Sequence, residues 1–153
     1  MKSNYSRYCI IACICASAAL GSKTAAAQSA APCSLLTSAQ VTAVVGVSVG
    51  AAQPIANTGC SWTAPHMMVT VSLWDGSKWD QMKTPLPGMN RTPVSGLGDD
   101  AFYTTMGSAS SKQFATLSVK KGGTAYLIKV YGPTMTEQMS MEKTLAGDVL
   151  AKL

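Results

Sequence analysis

Alternation of apolar and polar residues predicts β-strands through the middle of the chain. The clearest run covers residues 67–74, in which Val69, Val71 and Leu73 alternate with more polar residues, and residues 114–120 repeat the pattern. A period of two is typical of antiparallel strands that bury one face. Shorter strand signals cover residues 47–55, 60–63, 101–105 and 124–131.

Two segments carry a helix start signal, a threonine followed three residues later by Gln or Glu. Thr37 with Gln40, and Thr134 with Glu137, have the spacing of a capping box. They predict helices over residues 37–46 and 134–152. A short helix is predicted after Ser77, and the proline-rich residues 84–92 are interpreted as a crossing loop.

In the last helix we expect four apolar residues to face the core and two acidic residues to face solvent. The apolar set is Met139, Leu145, Val149 and Leu150, and the acidic set is Glu142 and Asp148. The order of elements is then α-βββα-βββα. It predicts an α+β fold in which helices pack on an antiparallel sheet of five to six strands.

The first 27 residues have the pattern of a signal peptide. Lys2 and Arg7 precede a 13-residue apolar run over residues 8–20, and small residues end at Ala25-x-Ala27. The run is too short to span a bilayer of about 30 Å. We expect cleavage before Gln28, a mobile leader over residues 28–32 and one domain over residues 33–153. An uncleaved anchor and a lipid anchor are the less favoured alternatives.

Removal of that segment changes the charge and cysteine arithmetic. The full chain has 12 basic and 7 acidic residues, and loss of three basic residues leaves 9 against 7. The sequence has no cluster of Lys and Arg residues that would indicate nucleic-acid binding. Cys33 and Cys60 are the only cysteines left, in an oxidising periplasmic or extracellular compartment, so we expect a disulfide between them.

Several short motifs together resemble a known family. They are residues 32–41 (PCSLLTSAQV), 59–63 (GCSWT), 94–103 (VSGLGDDAFY) and 145–153 (LAGDVLAKL). The chain is similar to the DUF3558-like small exported bacterial proteins of unknown function, which are often lipoproteins. The resemblance implies an α+β, PsbP-like fold and the Cys33–Cys60 bridge. It implies no activity, ligand or catalytic residue.

The sequence offers few groups for catalysis. His66 is the only histidine and lies in a predicted turn, and no G-x-S-x-G motif supports a nucleophile. Asp99 and Asp100 are adjacent on a predicted strand and would diverge, so a role in capping the turn is favoured. We therefore expect no catalytic residue, no cofactor and no enzyme, with a hydrolase of dispersed site as an alternative.

Methionine and tryptophan supply the other candidates. Methionine sulfur is a soft ligand that suits Cu(I), which makes copper binding an alternative to ordinary packing. The metal candidates are His66, Met67, Met68, Met135 and Met139. The candidates for a binding surface are Trp62, Trp74 and Trp79, although core packing is the favoured interpretation of these residues. If Trp62 and Trp74 share the sheet face away from Val69 and Val71, they would line a surface or a second helix layer. The favoured hypothesis is an exported, non-enzymatic module that binds an unknown protein or small molecule through the open sheet face or residues 84–92.

Overall fold

A computed structural model describes residues 31–84, 86–106 and 114–153. It is an α+β fold with one antiparallel sheet of seven strands in the order β1-β2-β3-β7-β6-β5-β4. The strands are β1 (Gln53–Ile55), β2 (Gly59–Ala64), β3 (Met67–Asp75), β4 (Met89–Pro93), β5 (Asp100–Met106), β6 (Phe114–Lys121) and β7 (Thr124–Tyr131). The α-helices are α1 (Ser38–Val45), α2 (Trp79–Lys83) and α3 (Met135–Leu150), and 3-10 turns cover Pro32–Ser34 and Gly76–Lys78.

The α+β class is confirmed, but the predicted number of five to six strands was too low. The extra strand, β4 (Met89–Pro93), includes residues 89–92 of the segment that was interpreted as a loop. It pairs only with β5 and so forms an edge of the sheet. An edge strand tolerates Pro93, because a proline that cannot donate a hydrogen bond is acceptable there. Pro87 lies before the strand, so the loop interpretation was wrong for residues 89–92.

Both predicted capping boxes are present. The Thr37 hydroxyl accepts from the Gln40 N–H at 3.2 Å, and Gln40 accepts from the Thr37 N–H at 3.0 Å. Thr134 and Glu137 repeat this arrangement at the start of α3. Each box satisfies backbone donors that the first helical turn leaves free, so these local signals fix where α1 and α3 begin.

One face of the sheet, here called the front face, carries the main core. Helices α1 and α3 pack together on that side, and α3 lies against β6 and β7. The largest fully buried side chains are Trp62, Tyr126, Leu35, Leu36, Leu117, Ile128 and Leu145, joined by Glu142 and several valines. A disulfide joins Cys33 to Cys60, with the two Cα atoms 5.1 Å apart. The predicted bridge therefore ties the first 3-10 turn to β2.

Among the described residues, α2 covers one end of the opposite face, here called the back face. Trp79 packs there on Phe102 with ring centroids 5.1 Å apart, together with Ala125 and Met82. The Arg91 guanidinium lies over the Phe102 ring at 4.7 Å and donates to the carbonyls of Met82 and Thr84. These contacts hold α2 and the chain that follows it against β4 and β5.

Strands β6 and β7 are paired only near their hairpin. The ladder runs from Lys121↔Thr124 to Leu117↔Ile128 and is not continued to Ala115 and Val130. β5 still pairs with β6 as far as Phe114, and β3 pairs with β7 as far as Tyr131. The sheet therefore divides between β6 and β7, and this divided end is called the fork.

No helix within residues 31–84, 86–106 and 114–153 is long and apolar enough to cross a membrane. The predicted signal peptide and residues 28–30 of the predicted leader lie outside the described part of the chain. Pro32, which was assigned to the leader, begins the 3-10 turn that carries Cys33.

Candidate functional site

A cleft of about 990 Å³ lies beside the end of β3. One of the side chains that line it is Trp74, which is 50% exposed although it is among the largest apolar residues of the chain. The walls come from separate segments: Ala31, Pro32, Asn57, Thr58, Leu73, Asp75, Lys78, Gln81, Met82, Gly123, Thr124 and Leu153. A concave site of this size with one large aromatic group and several polar groups has the character of a small-molecule site.

The short helix α2 forms one wall of the cleft and is firmly held. Trp79 is almost fully buried, and its indole N–H donates to Asp100 at 2.8 Å. Gly76, just before α2, donates its N–H to the Gly123 carbonyl at 2.8 Å. A Cβ atom on Gly76 would lie only 2.7 Å from the Gly123 carbonyl carbon, so a larger residue could not approach β7 this closely. These contacts fix the position of α2 and so place Gln81 and Met82 at the cleft.

Two charged side chains of opposite sign line the cleft. Asp75 accepts the Ser77 N–H at 2.8 Å, and this hydrogen bond, helped by Lys78, lowers the pKa of the Asp75 carboxyl. Asp75 therefore stays ionised at neutral pH and caps the 3-10 turn that leads into α2. The remaining polar side chains of the wall are neutral, and they are Asn57, Thr58, Gln81 and Thr124.

The three tryptophans do not share one surface. Trp62 is directly opposite Val69 in the β2–β3 pair, so both side chains lie on the front face, and Trp62 is fully buried. Trp79, the first residue of α2, is 3% exposed because its side chain packs against Phe102 and Ala125 of the sheet. Trp62 and Trp74 therefore lie on opposite faces, and core packing, the favoured interpretation, applies to Trp62 and Trp79. Only Trp74 of the three is available to a ligand.

The metal candidates lie in different environments. His66 is exposed in the two-residue turn between β2 and β3, with φ at 63°. Met67, Met135 and Met139 are partly buried and pack against the front-face core. Met68 follows Met67 on the same strand and therefore points to the back face. No group of three His, Cys, Asp or Glu side chains in the described residues could hold a metal ion.

Asp99 and Asp100 bind different parts of the fold. Asp99 accepts the Gly122 N–H at 2.6 Å and pairs with Lys121 at 3.2 Å, which lowers the pKa of its carboxyl. Asp100 accepts from Lys83 at 2.7 Å and from the Trp79 indole, and these bonds lower its pKa too. Asp99 therefore caps the β6–β7 hairpin turn, and Asp100 anchors α2.

Glu142 was expected on the outer face of α3 and is instead completely buried. Asp148 is only partly buried. A signal for the position of Glu142 was present in the sequence, because it precedes Leu145 by three residues and Val149 by seven. That spacing places all three on one side of a helix. The position of Glu142 on the helix, and not its acidic character, thus determines its burial.

Sequence reasoning missed most of the cleft wall. Asn57 and Thr58 come from the β1–β2 turn, and Gln81 and Met82 come from α2. No spacing along the chain relates these segments, because they meet only when β2, β3 and β7 pair side by side. The one usable signal was Trp74 itself, an aromatic residue out of phase with the buried valines of β3.

No family model, curated protein or solved structure matches this chain. The resemblance to the DUF3558-like proteins, and the PsbP-like fold that it implies, thus stay predictions. The cleft and the side chains that line it are therefore the features that bear on function.

Proposed function

We propose that the protein is an exported, non-enzymatic binding module whose ligand site is the cleft beside Trp74. The observation that carries the proposal is the half-exposed indole in the lining of a concave site of about 990 Å³. Pockets for small ligands commonly combine such an apolar surface with a few placed polar groups. Burial of the indole by a ligand would remove apolar area from water and favour binding.

The wall chemistry favours a ligand that is neutral, has a flat apolar face and carries several hydrogen-bonding groups. Asp75 and Lys78 have opposite charges, and the other polar side chains of the wall are amides and hydroxyls. An indole offers a flat surface on which a ring can stack. A sugar ring, with an apolar face and hydroxyls around its rim, meets all three requirements.

A titration of the protein with oligomers of N-acetylglucosamine tests this site. We expect saturable quenching or a blue shift of tryptophan emission, since Trp74 is exposed and the other two tryptophans are buried. Trp74→Ala should abolish binding measured by calorimetry. Tyr131→Ala is the matched control, because Tyr131 is an exposed aromatic residue on β7 that does not line the cleft.

Each outcome of that titration bears on a separate part of the proposal. Equal binding by the parent and Trp74→Ala would place the ligand elsewhere and contradict the site. If an anionic or cationic aromatic probe binds and no neutral sugar does, the proposed location of the site stands but the proposed ligand class is overturned. Absence of binding for neutral and charged probes alike would count against a small-ligand site.

Export is supported by the amino-terminal pattern and by the disulfide. A Cys33–Cys60 bridge forms and persists in oxidising compartments such as the periplasm. Mass spectrometry of the protein recovered outside the cytoplasm should find a chain that begins at Gln28. Recovery of a chain with an intact Met1 would contradict cleavage.

The copper and hydrolase alternatives are not favoured by any contact among the described residues. Met67, Met135 and Met139 pack against the core, and His66 stands in an exposed turn. The cleft is the better-supported site because residues of separate segments, Trp74 among them, line one concave surface.

A further inference from the structure

Helix α3 places two polar side chains inside the core, one turn apart. Gln138 is 4% exposed and Glu142 is 0% exposed. The Gln138 side chain accepts the Ala115 N–H at 3.0 Å and donates to the Pro133 carbonyl at 2.8 Å. Glu142 accepts the Val130 N–H at 3.0 Å through Oε1, while its buried Oε2 has no hydrogen-bond partner among the described residues.

These two side chains occupy the fork between β6 and β7. Continuation of the β6–β7 register would put Ala115 opposite Val130, two residues beyond the pair Leu117↔Ile128. Counted from the hairpin turn, that pair would exchange two N–H···O bonds across the strands. Instead, the two N–H groups bind side-chain oxygens of α3. Gln138 and Glu142 thus replace the missing rungs of the ladder and connect α3 to both arms of the fork.

The groups that face Glu142 provide little compensation for a negative charge. The Tyr103 hydroxyl on β5 donates to the Met139 carbonyl, and the Tyr126 hydroxyl on β7 donates to the Ala146 carbonyl at 3.0 Å. Lys129 on β7 is the nearest cation, but its ammonium lies over the rings of Phe114 and Tyr131 at 3.9 and 4.5 Å.

The other elements packed against α3 add no charged partner. Helix α1 contains no titratable side chain, and Lys120 of β6 lies on the back face opposite Asp100. On α3 itself, Glu137 and Lys143 are exposed, and Asp148 is partly buried. Glu142 thus sits in an apolar interior, where only the backbone of Val130 and of Leu117 and the Lys129 cation on the far side of the sheet favour its charged form among the described residues.

We propose that Glu142 is a proton-operated latch, which in its neutral form holds α3 on the fork and which on ionisation weakens that hold. The geometry supplies the reason, because ionisation would leave a charge with an unpartnered oxygen in the core. Burial raises the pKa of the Glu142 carboxyl to about 8, while hydrogen bonds from the backbone of Val130 and Leu117 and the charge of Lys129 oppose that rise. This inference does not depend on the cleft, which lies at the other end of β7.

The sign of the pH dependence follows from the direction of the pKa change. In the unfolded chain Glu142 would ionise near its ordinary value of 4.5, whereas in the folded protein it keeps its proton up to about pH 8. Stability from this group is therefore fully present below about pH 4.5 and is lost as the pH rises toward 8. One proton of difference lowers the folding equilibrium constant roughly tenfold for each pH unit in that window.

The decisive experiment compares urea unfolding of the parent protein and Glu142→Gln between pH 5 and 9, with each protein isolated after expression of the full chain. Glutamine keeps the shape of the acid and its acceptor for Val130 but cannot ionise. We expect the parent curve to fall with pH by up to tenfold per unit relative to the Glu142→Gln curve. Glu137→Gln, an exposed substitution five residues earlier on α3, is the control and should run parallel to the parent. Parallel curves for the parent and Glu142→Gln would overturn the latch.

A second measurement does not require the variant to fold. The chain has only two glutamates, Glu137 and Glu142, so selective ¹³C labelling of glutamate gives two carboxyl resonances. Glu137 should titrate below its ordinary range, because its bonds to Thr134 lower its pKa. Glu142 should titrate several units higher, with the Val130 amide resonance moving at the same midpoint. Two midpoints below pH 5 would overturn the proposal.

Discussion

The two faces of the sheet are made from alternate residues of the same strands and have opposite characters. On β3, Val69 and Val71 face the front and are fully buried, whereas Trp74 faces the back and is 50% exposed. The front face is closed by α1 and α3, and the back face is covered by α2 at one end. The contrast places most of the core on the front face and leaves Trp74, a residue of the proposed ligand site, exposed on the back face.

The faces also differ in how they treat acidic groups. The front face buries Glu142, and burial raises the pKa of its carboxyl. On the back face, donors from Lys83 and Trp79 lower the pKa of Asp100. Desolvation dominates inside the closed face, whereas hydrogen bonds and nearby cations dominate at the open one. The two faces therefore contribute stability with opposite dependence on pH.

The largest expected effect tests the front face. Trp62→Ala should lower the free energy of unfolding by about 3–5 kcal/mol, the usual cost of removing a fully buried aromatic side chain. The indole N–H of Trp62 has no hydrogen-bond partner in the described structure, so the loss would come from packing. Urea unfolding at neutral pH measures it. A loss under about 1 kcal/mol would mean that Trp62 does not belong to a closely packed core.

Removal of the disulfide should have the next largest effect. Replacement of Cys33 and Cys60 by Ala together should destabilise the fold by about 2–4 kcal/mol, because the bridge restricts the unfolded chain. The same loss should follow reduction of the parent with a thiol, measured by thermal unfolding. An unchanged melting temperature after complete reduction would show that the first 3-10 turn is held without the bridge.

A smaller effect concerns the back-face acid. The pKa of Asp100 is lowered in the folded protein, so its contribution is present above the ordinary value of 3.8 and is lost as the pH falls below it. Asp100→Asn should flatten the acid limb of the stability curve by less than about 1 kcal/mol, because the Lys83–Asp100 pair is largely exposed. Asp80→Asn, an exposed change on α2, serves as the control. A steeper acid limb in Asp100→Asn would reverse the sign argued here.

The smallest stability effect is expected at Trp74. Trp74→Ala should change the free energy of unfolding by no more than about 0.5 kcal/mol, because the indole is half exposed. Measured beside Trp62→Ala, it separates the two faces with the same substitution. A loss above about 2 kcal/mol would assign Trp74 to packing and weaken its proposed role as a ligand platform.

Local patterns were reliable where the determining contacts are close in sequence. The capping boxes at Thr37 and Thr134 and the strand over residues 67–74 depend on neighbours within a few positions. Strand β4 was missed because it has no alternation and is held by contacts with β5 and by Arg91. Edge strands need fewer internal signals than central ones, since only one side of the backbone is paired.

The cleft could not be derived from the sequence, although Trp74 was singled out. The face of Trp62 depended on the β2–β3 register, which the turn at Pro65 and His66 sets by pairing Ala64 with Met67. A shift of one residue would move Trp62 to the other face. The wall around Trp74 needed the sheet order as well, because it joins the β1–β2 turn, the end of β3, α2 and the β6–β7 turn.

The sequence by itself determined the α+β class, the two capped helices and the cysteine pair. Those features depend on periodicity, hydrogen bonds over three residues and the small number of cysteines. Tertiary structure alone decided that the sheet divides between β6 and β7, that Glu142 enters the division and that Trp74 stands in a cleft. The physical reason is that burial and strand register are set by segments distant along the chain, so the environment of a side chain is fixed only when they pack together.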